Sequence, residues 1–218
     1  MLALGQVVAP GSRCLLRSGR LTGLKDVAVQ TELRCKGMHL IVGVGGQAKP
    51  GTRVGNPAEE EPTLTISVRP AEDGDRRALA ELLAAVAAER DGIAAEPPID
   101  VDRLAASWKV DGTLVALAEG VIVGEVRVDP SWMGFGEIGM MVTAGWRGRG
   151  VGTALVTAAV EWARARGLHK LALSVFPHNE AAIALYRKFG FSEEGRLVRH
   201  VRRAGGELWD LIEMGLPL

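Results

Sequence analysis

Arg147-Gly148-Arg149-Gly150-Val151-Gly152-Thr153 is the stretch from which the fold of this chain can be worked out. The residues before it, 137–143, read as a strand, and residues 151–166 have the apolar spacing of a helix. A glycine-rich turn between a strand and a helix N-terminus presents backbone N–H groups that lack intrahelical partners. Because glycine has no Cβ, an anion can approach those groups closely. The stretch therefore predicts a phosphate-binding turn, with an ordinary surface turn as the alternative.

Two common nucleotide-binding motifs do not fit this turn. A P-loop needs lysine and then serine or threonine after its last glycine, whereas here Thr153 and an alanine follow. The dinucleotide-binding spacing G-x-G-x-x-G fails as well, because Gly148, Gly150 and Gly152 alternate. What remains is the pattern Arg-x-x-Gly-x-Gly, which begins at Arg147.

Composition excludes several classes of function. The 218 residues contain 26 Lys and Arg against 26 Asp and Glu, so no basic surface for nucleic acid is expected. No apolar run approaches the roughly 18–20 residues of a membrane span. Cys14 and Cys35 have no metal-ligand spacing. We therefore expect a cytoplasmic protein, a monomer or homodimer, that binds no metal, nucleic acid or membrane.

The chain divides into an extension and a globular domain. Gly, Pro and charged residues are concentrated between positions 43 and 62, which is typical of a linker. We expect residues 1–62 to be a disordered N-terminal extension, or translated sequence upstream of the true start, with Met38 one possible start. Residues 63–218 are expected to form the domain.

Hydrophobic periodicity within the domain predicts the order β-α-α-β-β-β-α-β-α-β-β, a mixed sheet with helices on both faces and an α/β fold class. For the long helix that follows the glycine turn, an inward face is expected at Val151, Leu155, Ala158 and Trp162. The predicted strands are 64–68, 113–118, 121–129, 134–143, 171–175, 197–203 and 207–216, and the predicted helices start near 75, 100, 151 and 179.

A second motif narrows the family. The run Asn179-Glu180-Ala181-Ala182-Ile183-Ala184-Leu185-Tyr186-Arg187-Lys188-Phe189-Gly190-Phe191 resembles the segment Asn-x-x-Ala-x-x-Leu-Tyr-x-x-x-Gly-Phe of the GNAT superfamily of acyl-CoA-dependent N-acetyltransferases. In that family the segment follows an Arg-x-x-Gly-x-Gly turn by one strand, as it does here. The resemblance covers about residues 64–216 and not the extension. It implies a mostly antiparallel sheet with two splayed parallel strands.

The resemblance also implies a cosubstrate and the residues that bind it. Acetyl-CoA would lie where the parallel strands splay, with its pyrophosphate on the backbone amides of the glycine turn and its pantetheine arm along the preceding strand. Side chains of the two turn arginines would face the phosphates or remain in solvent. Asn179 is expected mainly to cap its helix. The implied cofactor-binding residues are Met140, Met141, Val142, Arg147, Arg149, Gly150, Val151, Gly152, Thr153 and Asn179.

The resemblance further implies transfer of an acetyl group to a primary amine of a small molecule, peptide or protein, by direct attack of the amine on the thioester. Tyr186 falls on the general-acid position of the family, with a core aromatic as its alternative role, and a backbone N–H near Val142 would stabilise the oxyanion. Glu137 is the tentative base. His200, Glu125 and Asp210 are alternatives, and Asp210 would equally pair with Arg199 or Arg202 across the hairpin.

The acceptor stays open. Trp132 and Phe135 lie on the loop that follows the predicted strand 121–129. They would form an apolar wall for the acceptor, take part in a dimer contact or pack within the loop. Glu89 and Glu96 would attract a cationic amine or be solvated helix-end charges. A longer acyl-CoA, a non-catalytic acyl-CoA-binding module and an interaction protein that uses the extension are the alternatives to acetyl transfer.

Overall fold

The computed structural model describes residues 31–35, 38–42 and 65–218. The chain separates into two compact units, Met1–Thr65 and Ile66–Leu218. Within the first unit, β1 (Thr31–Cys35) and β2 (Met38–Val42) pair as an antiparallel hairpin. The predictions of a disordered extension and of an upstream start otherwise fall outside the described residues, and they stay predictions.

The second unit has the predicted order of elements. Its strands are β3 (Ile66–Pro70), β4 (Thr113–Ala118), β5 (Val121–Pro130), β6 (Phe135–Val142), β7 (Lys170–Val175), β8 (Ser192–Arg202) and β9 (Leu208–Pro217). Its helices are α1 (Arg76–Ala88), α2 (Val101–Ser107), α3 (Val151–Ala165) and α4 (Glu180–Lys188). Short 3-10 turns precede α1 and the glycine turn.

All seven strands of this unit form one sheet in the order β3-β4-β5-β6-β7-β9-β8. Every neighbouring pair is antiparallel except β6 and β7. These two parallel strands pair only over Phe135–Glu137 and Lys170–Ala172, although β6 continues to Val142 and β7 to Val175. Their C-terminal ends therefore diverge, which confirms the mixed, mostly antiparallel sheet with splayed parallel strands.

Helices pack on both faces of the sheet, as predicted. One apolar cluster joins α3 and α4 to the sheet and includes Ile138 and Val142 of β6. The other joins α1 and the residue after α2, Trp108, to the opposite face and includes Met141 of β6. Because side chains alternate along a strand, consecutive residues of β6 enter different clusters. The end of β6 is thus held from both sides.

The predicted inward face of α3 is correct but incomplete, because all four predicted residues contact the apolar core and further positions are buried as well. Val151 and Leu155 are buried as expected, but Ala158 and Trp162 are only partly buried. The remaining buried positions of the helix are Val156, Ala159, Val160 and Ala163. A helix that packs across a broad sheet buries a wide stripe of its surface. The four predicted residues lie along one side of that stripe only. Trp162 lies on that side, beneath the guanidinium of Arg166, 4.2 Å from its ring centroid.

The final hairpin is longer than predicted, because β8 begins at Ser192 rather than near 197. The first residues of β8 are mostly charged and exposed, so they give no alternating apolar pattern from which a strand could be predicted. Irregular pairing between β8 and β9 hides the period further, with register shifts at Glu193–Gly195 and Leu197–Val201.

Candidate active site

The glycine turn has the geometry of an anion site. Gly148 and Gly150 have φ values of +73° and +90°, which residues with a Cβ rarely adopt. Gly150 is the N-cap of α3, and the first intrahelical bond runs from the N–H of Ala154 to its carbonyl at 3.0 Å. The three N–H groups before Ala154 therefore lack intrahelical acceptors. The first turn of α3 also contains no acidic residue, so the positive end of the helix dipole is not neutralised.

Gly152 lies where α3, α4 and β6 approach one another. A Cβ at this position would lie 2.9 Å from Cδ2 of Leu185 and 3.7 Å from Cε of Met140. The absence of a side chain brings the helix N-terminus against α4 and the end of β6. The turn, the strand predicted to bind pantetheine and the helix that carries Tyr186 therefore meet at one place.

The last residues of β6 have a main-chain edge that is open in part: within the described residues β7 does not pair with it, and the carbonyl of Val142 accepts from Nε of Arg147. The N–H of Thr143 donates to Val123 at 2.9 Å and the N–H of Ser131 donates to Phe135 at 2.7 Å, which fixes the pairing of β6 with β5. In this register the odd-numbered residues of β6 bond to β5, so Met140 and Val142 direct their main-chain groups to the other edge. There β7 has already diverged. Such an edge suits an extended ligand that pairs as an additional strand.

Arg147 is engaged within the protein. Its Nε donates to the carbonyl of Val142 at 2.9 Å, and its two terminal nitrogens donate to Glu89 at 2.6 and 2.9 Å. The sequence predicts that Glu89 attracts a cationic amine. In the structure the cation beside Glu89 is the guanidinium of Arg147. Arg149 is placed differently, with its guanidinium 5.4 Å from the ring centroid of Trp146. Phosphate contacts by the two arginine side chains stay predictions.

Asn179 caps α4. Its Oδ1 accepts a hydrogen bond from the N–H of Ala182 at 3.2 Å, as a helix N-cap does. The expected capping role is thereby confirmed, and a contact with pantetheine stays a prediction. The cap fixes the first turn of the helix on which Tyr186 lies two turns later.

Tyr186 is buried in the core, with 6% of its surface exposed and its ring centroid 5.5 Å from that of Phe191. Burial raises its pKa to about 12. The phenol therefore keeps its proton throughout the neutral range, as a hydrogen-bond donor to a leaving group must. The burial of Tyr186 confirms the core-aromatic alternative, and its role as the general acid stays a prediction.

Among the candidate bases, Glu125 differs most from an ordinary surface carboxylate. It is 6% exposed on β5, opposite Met141, and its Oε2 is buried with no hydrogen-bond partner within the described residues. Burial raises its pKa to about 8, the neighbouring Arg127 lowers it and Asp129 raises it. Nothing in the sequence marked this burial, since a strand with alternating charges is typical of an exposed face.

The other candidate bases lie in more ordinary surroundings. Glu137 is exposed on the same face of the sheet, opposite Asp129 of β5. His200 is exposed on β8. Asp210 accepts hydrogen bonds from the side chain of Arg196 and from the backbone N–H of Arg199, which lower its pKa. Asp210 is paired across the hairpin as expected, but its ion-pair partner is Arg196, and of the two predicted partners only Arg199 contacts it, through the backbone N–H.

Trp132 and Phe135 are not brought to the splayed ends of the strands. Phe135 begins β6, and the edge at Met140 and Val142 ends it, so the two places are about 20 Å apart at roughly 3.3 Å per residue. Trp132 is 93% exposed in the turn before β6. The predicted apolar wall for the acceptor therefore lies at the opposite end of the strand from the predicted cosubstrate site.

A buried arginine that the sequence did not reveal joins the segment between α1 and α2 to the final hairpin. Arg203 is 3% exposed and donates to the carbonyls of Arg90, Ile93 and Ala94 at 3.1–3.3 Å. It also forms an ion pair with Glu96 at 3.3 Å. Glu96 is the second carboxylate predicted to attract a cationic amine, and in the structure its cationic partner is Arg203. The partners are more than 100 residues apart in sequence, a separation that no local pattern reports.

A partly open strand edge beside an unneutralised helix N-terminus has room and charge for an extended ligand with an anionic group. The chain belongs to the acetyltransferase (GNAT) family, whose model matches residues 77–191. Within the described residues, no helix is long and apolar enough to cross a membrane. In the same part of the chain, no group of three or more His, Cys, Asp or Glu is arranged to hold a metal ion.

The chain is similar to proteins with several acceptors. L-amino acid N-acetyltransferase AaaT of Escherichia coli is 33% identical over 42% of this chain and 60% of its own length. Ribosomal-protein-alanine N-acetyltransferase from Brucella melitensis has a TM-score of 0.63 and 29% identity over 70% of this chain and 99% of its own. A Sinorhizobium meliloti phosphinothricin acetyltransferase, solved in complex with AcCoA, has the same fold, with a TM-score of 0.64 and 22% identity over 70% of this chain and 88% of its own. The chain spans about half the length of the curated relatives it matches.

Proposed function

We propose that this protein transfers an acetyl group from acetyl-CoA to a primary amine. The observation that carries the proposal is the open edge of β6 at Met140 and at the N–H of Val142, which lies beside the N–H groups without intrahelical acceptors at the start of α3. The edge suits the amide-bearing pantetheine arm, and the helix N-terminus suits the pyrophosphate. The names of similar proteins support the same activity, since they include N-acetyltransferases and a structure with AcCoA.

Glu125 serves as the base in this proposal, in place of Glu137. As the amine nitrogen attacks the thioester carbon, a C–N bond forms, the C–S bond breaks, and one proton leaves the nitrogen for the Glu125 carboxylate. A base whose pKa is about 8 matches an α-amine, whose usual pKa is about 7.7–8.0. Proton transfer between groups of equal pKa has little free-energy cost, and such a base is half ionised near pH 8.

Tyr186 serves as the acid. It donates a hydrogen bond to the sulfur as the C–S bond breaks, and its proton completes the thiol of free CoA. The Glu125 carboxyl then returns its proton to the phenolate through solvent, which restores both groups. The products are one amide and one thiol, so protons and electron pairs balance. The amine acceptor belongs to a small molecule, a peptide or a protein.

The test is release of free CoA from acetyl-CoA over a panel of amino acids, polyamines, aminoglycosides and N-terminal peptides, with Tyr186→Phe in parallel. Acceptor-dependent release that falls about 10²-fold or more in the variant supports both the transfer and the acid role. Tight binding of acetyl-CoA without release over the whole panel would favour an acyl-CoA-binding module. Release of free CoA only from a longer acyl-CoA would show that the donor is not acetyl-CoA. The proposed site would stay as described.

A further inference from the structure

An open pocket of about 330 Å³ lies at the end of β7. Its lining combines an indole, an imidazole, a proline ring, a leucine and two side chains of opposite charge, namely Trp209, His178, Pro177, Leu208, Arg196 and Asp210. β7 pairs with β9 as far as Val175 and Ile212, whereas β9 already begins at Leu208. The pocket therefore lies beside the first residues of β9, past the end of β7.

The two aromatic walls of the pocket are held in fixed orientations. His178 stacks on Phe176, with ring centroids 5.4 Å apart and an angle of 10° between the ring planes. Trp209 stands at 87° to Phe176 and at 83° to His178, with centroids 5.1 and 4.9 Å away. The buried guanidinium of Arg203 lies 4.4 Å from the centroid of the Trp209 ring. Because these rings are already ordered, a ligand that packs on them has little ordering cost to overcome.

The charged groups of the pocket already have partners within the protein. Two nitrogens of Arg196, Nη2 and Nε, lie 2.8 and 2.9 Å from Oδ2 of Asp210. Oδ1 of Asp210 accepts from the backbone N–H of Arg199 at 2.7 Å, and Nε2 of His178 lies 3.0 Å from Oδ1 of Asp91. A charged ligand group would compete with these pairs, whereas an aromatic ring packs on the indole, the imidazole and the guanidinium without breaking them. The lining therefore favours an uncharged aromatic ring.

Short contacts link this pocket to the site proposed for acetyl transfer. Asp91, which contacts His178, comes two residues after Glu89, which binds Arg147. Arg147 in turn donates to the carbonyl of Val142 at the end of β6. Consecutive Cα atoms are about 3.8 Å apart, so the Cα atoms of Glu89 and Asp91 are separated by at most about 7.6 Å. The pocket and the open end of β6 therefore contact neighbouring residues of the segment that follows α1.

We infer that the acceptor is an amine that carries an aromatic ring, and that this ring binds between His178 and Trp209 while the amine points to the end of β6. The residues proposed to bind acetyl-CoA lie outside the lining of the pocket, so the ring does not compete with the cosubstrate for them. This inference rests on the proposed acetyl transfer, since it names the acceptor of that reaction. Binding of the ring itself is independent of catalysis and can be observed directly.

The first experiment compares acceptors that differ only in the ring. 2-Phenylethylamine and 4-phenylbutylamine, which span two distances between ring and amine, are each paired with the cyclohexyl amine of the same chain length. We expect kcat/KM for the phenyl amine to be about 3–10-fold above that of its cyclohexyl partner in at least one pair. In Trp209→Leu and in His178→Gln this ratio should fall to about one, through a higher KM for the phenyl amine with little change in kcat.

The ratio within a pair does not depend on how much of a variant is folded, because both amines meet the same protein. Trp132→Leu is the matched control, since it removes an exposed indole at the other end of β6. It should retain the ratio of the native chain.

The second experiment observes the ring site without turnover. The same four amines are titrated into ¹⁵N-labelled protein, and the indole N–H signal of Trp209, assigned with Trp209→Leu, is followed by NMR. We expect a saturable shift of this signal with a phenyl amine, and no shift of the Trp132 signal. A shift without acetylation of any acceptor would retain the ring site and overturn the acetyl transfer. Equal kcat/KM for phenyl and cyclohexyl amines, activity only with amines that lack a ring, or an unshifted Trp209 signal would overturn the ring site.

Discussion

Arg147 and Glu89 form a two-pronged ion pair, with nitrogen–oxygen distances of 2.6 and 2.9 Å, between the glycine turn and the end of α1. The third donor of the same guanidinium bonds to Val142 at the end of β6. The arginine that begins the Arg-x-x-Gly-x-Gly pattern thus ties together a helix, a strand and the turn. Its place in the pattern is explained by this architecture without any contact to phosphate.

The first prediction separates positioning from direct contact at Arg147. We expect Arg147→Gln and Glu89→Gln to weaken acetyl-CoA binding by similar factors, about 3–10-fold, because each removes one side of the same partly exposed pair. Calorimetric titration with acetyl-CoA gives the two dissociation constants. A loss in Arg147→Gln that exceeds the loss in Glu89→Gln by more than 10-fold would show that the guanidinium reaches the phosphates itself.

The second prediction concerns the close approach at Gly152. In Gly152→Ala the new methyl displaces Leu185, whose Cδ2 would be 2.9 Å away, and we expect a loss of about 1 kcal/mol in the free energy of unfolding. Gly145→Ala is the matched control, because no atom lies within 4 Å of the place that its methyl would take. Denaturant unfolding measures both. In Gly152→Ala/Leu185→Ala the two losses should not add, since the second change removes the atom that clashes. Full additivity would contradict the contact.

The third prediction concerns pH-dependent stability. Glu125 has a folded pKa of about 8 against an ordinary value of 4.5, so the folded state holds this proton more tightly than the unfolded state. Its protonated form contributes full stability below pH 4.5, and the contribution is lost as the pH rises to about 8. We expect Glu125→Gln to gain a few kcal/mol relative to the native chain between pH 5 and 8. Urea unfolding at several pH values measures this gain, and the exposed Glu137→Gln should show a flat difference.

The fourth prediction concerns catalysis by the same carboxyl. If Glu125 is the base, kcat/KM should rise with pH along a limb centred near 8, where its carboxylate forms. With an alkyl amine acceptor, whose own pKa is about 10.4, Glu125→Gln should lower kcat/KM about 10²–10⁴-fold and abolish that limb, and Glu137→Gln should retain the activity and the limb. A limb that survives in Glu125→Gln and disappears in Glu137→Gln would return the role to the residue favoured by sequence.

The fifth prediction concerns Arg203. Its removal in Arg203→Met leaves the carboxylate of Glu96 and three carbonyls without their shared donor, and we expect a loss of about 3–5 kcal/mol in the free energy of unfolding. The neighbouring Arg202 is exposed, so Arg202→Met should change stability by less than about 0.5 kcal/mol. Thermal unfolding compares the two variants, and proteolysis should select residues 90–96 in Arg203→Met. Equal melting temperatures would contradict the role assigned to Arg203.

Much of the fold could be predicted because each element of the domain has its own period and its own end signals. The glycine turn and the Asn179 cap are local features, and both lie where the sequence indicated. Burial of Glu125 could not be predicted in this way, because Arg127 and Asp129 give its strand the pattern of an exposed face. The partners of Arg203 and Arg147 are remote in sequence, and only the folded chain brings them together.

Only three residue pairs join β6 and β7 along their main chains, while the apolar core with α3 and α4 packs across both strands. Along most of β6 and β7 the main-chain ladder is missing, and packing of side chains joins the two strands there. A pantetheine arm bound between the diverging ends of β6 and β7 would bridge the two strands. The domain would then become more rigid when acetyl-CoA binds and more flexible each time free CoA leaves.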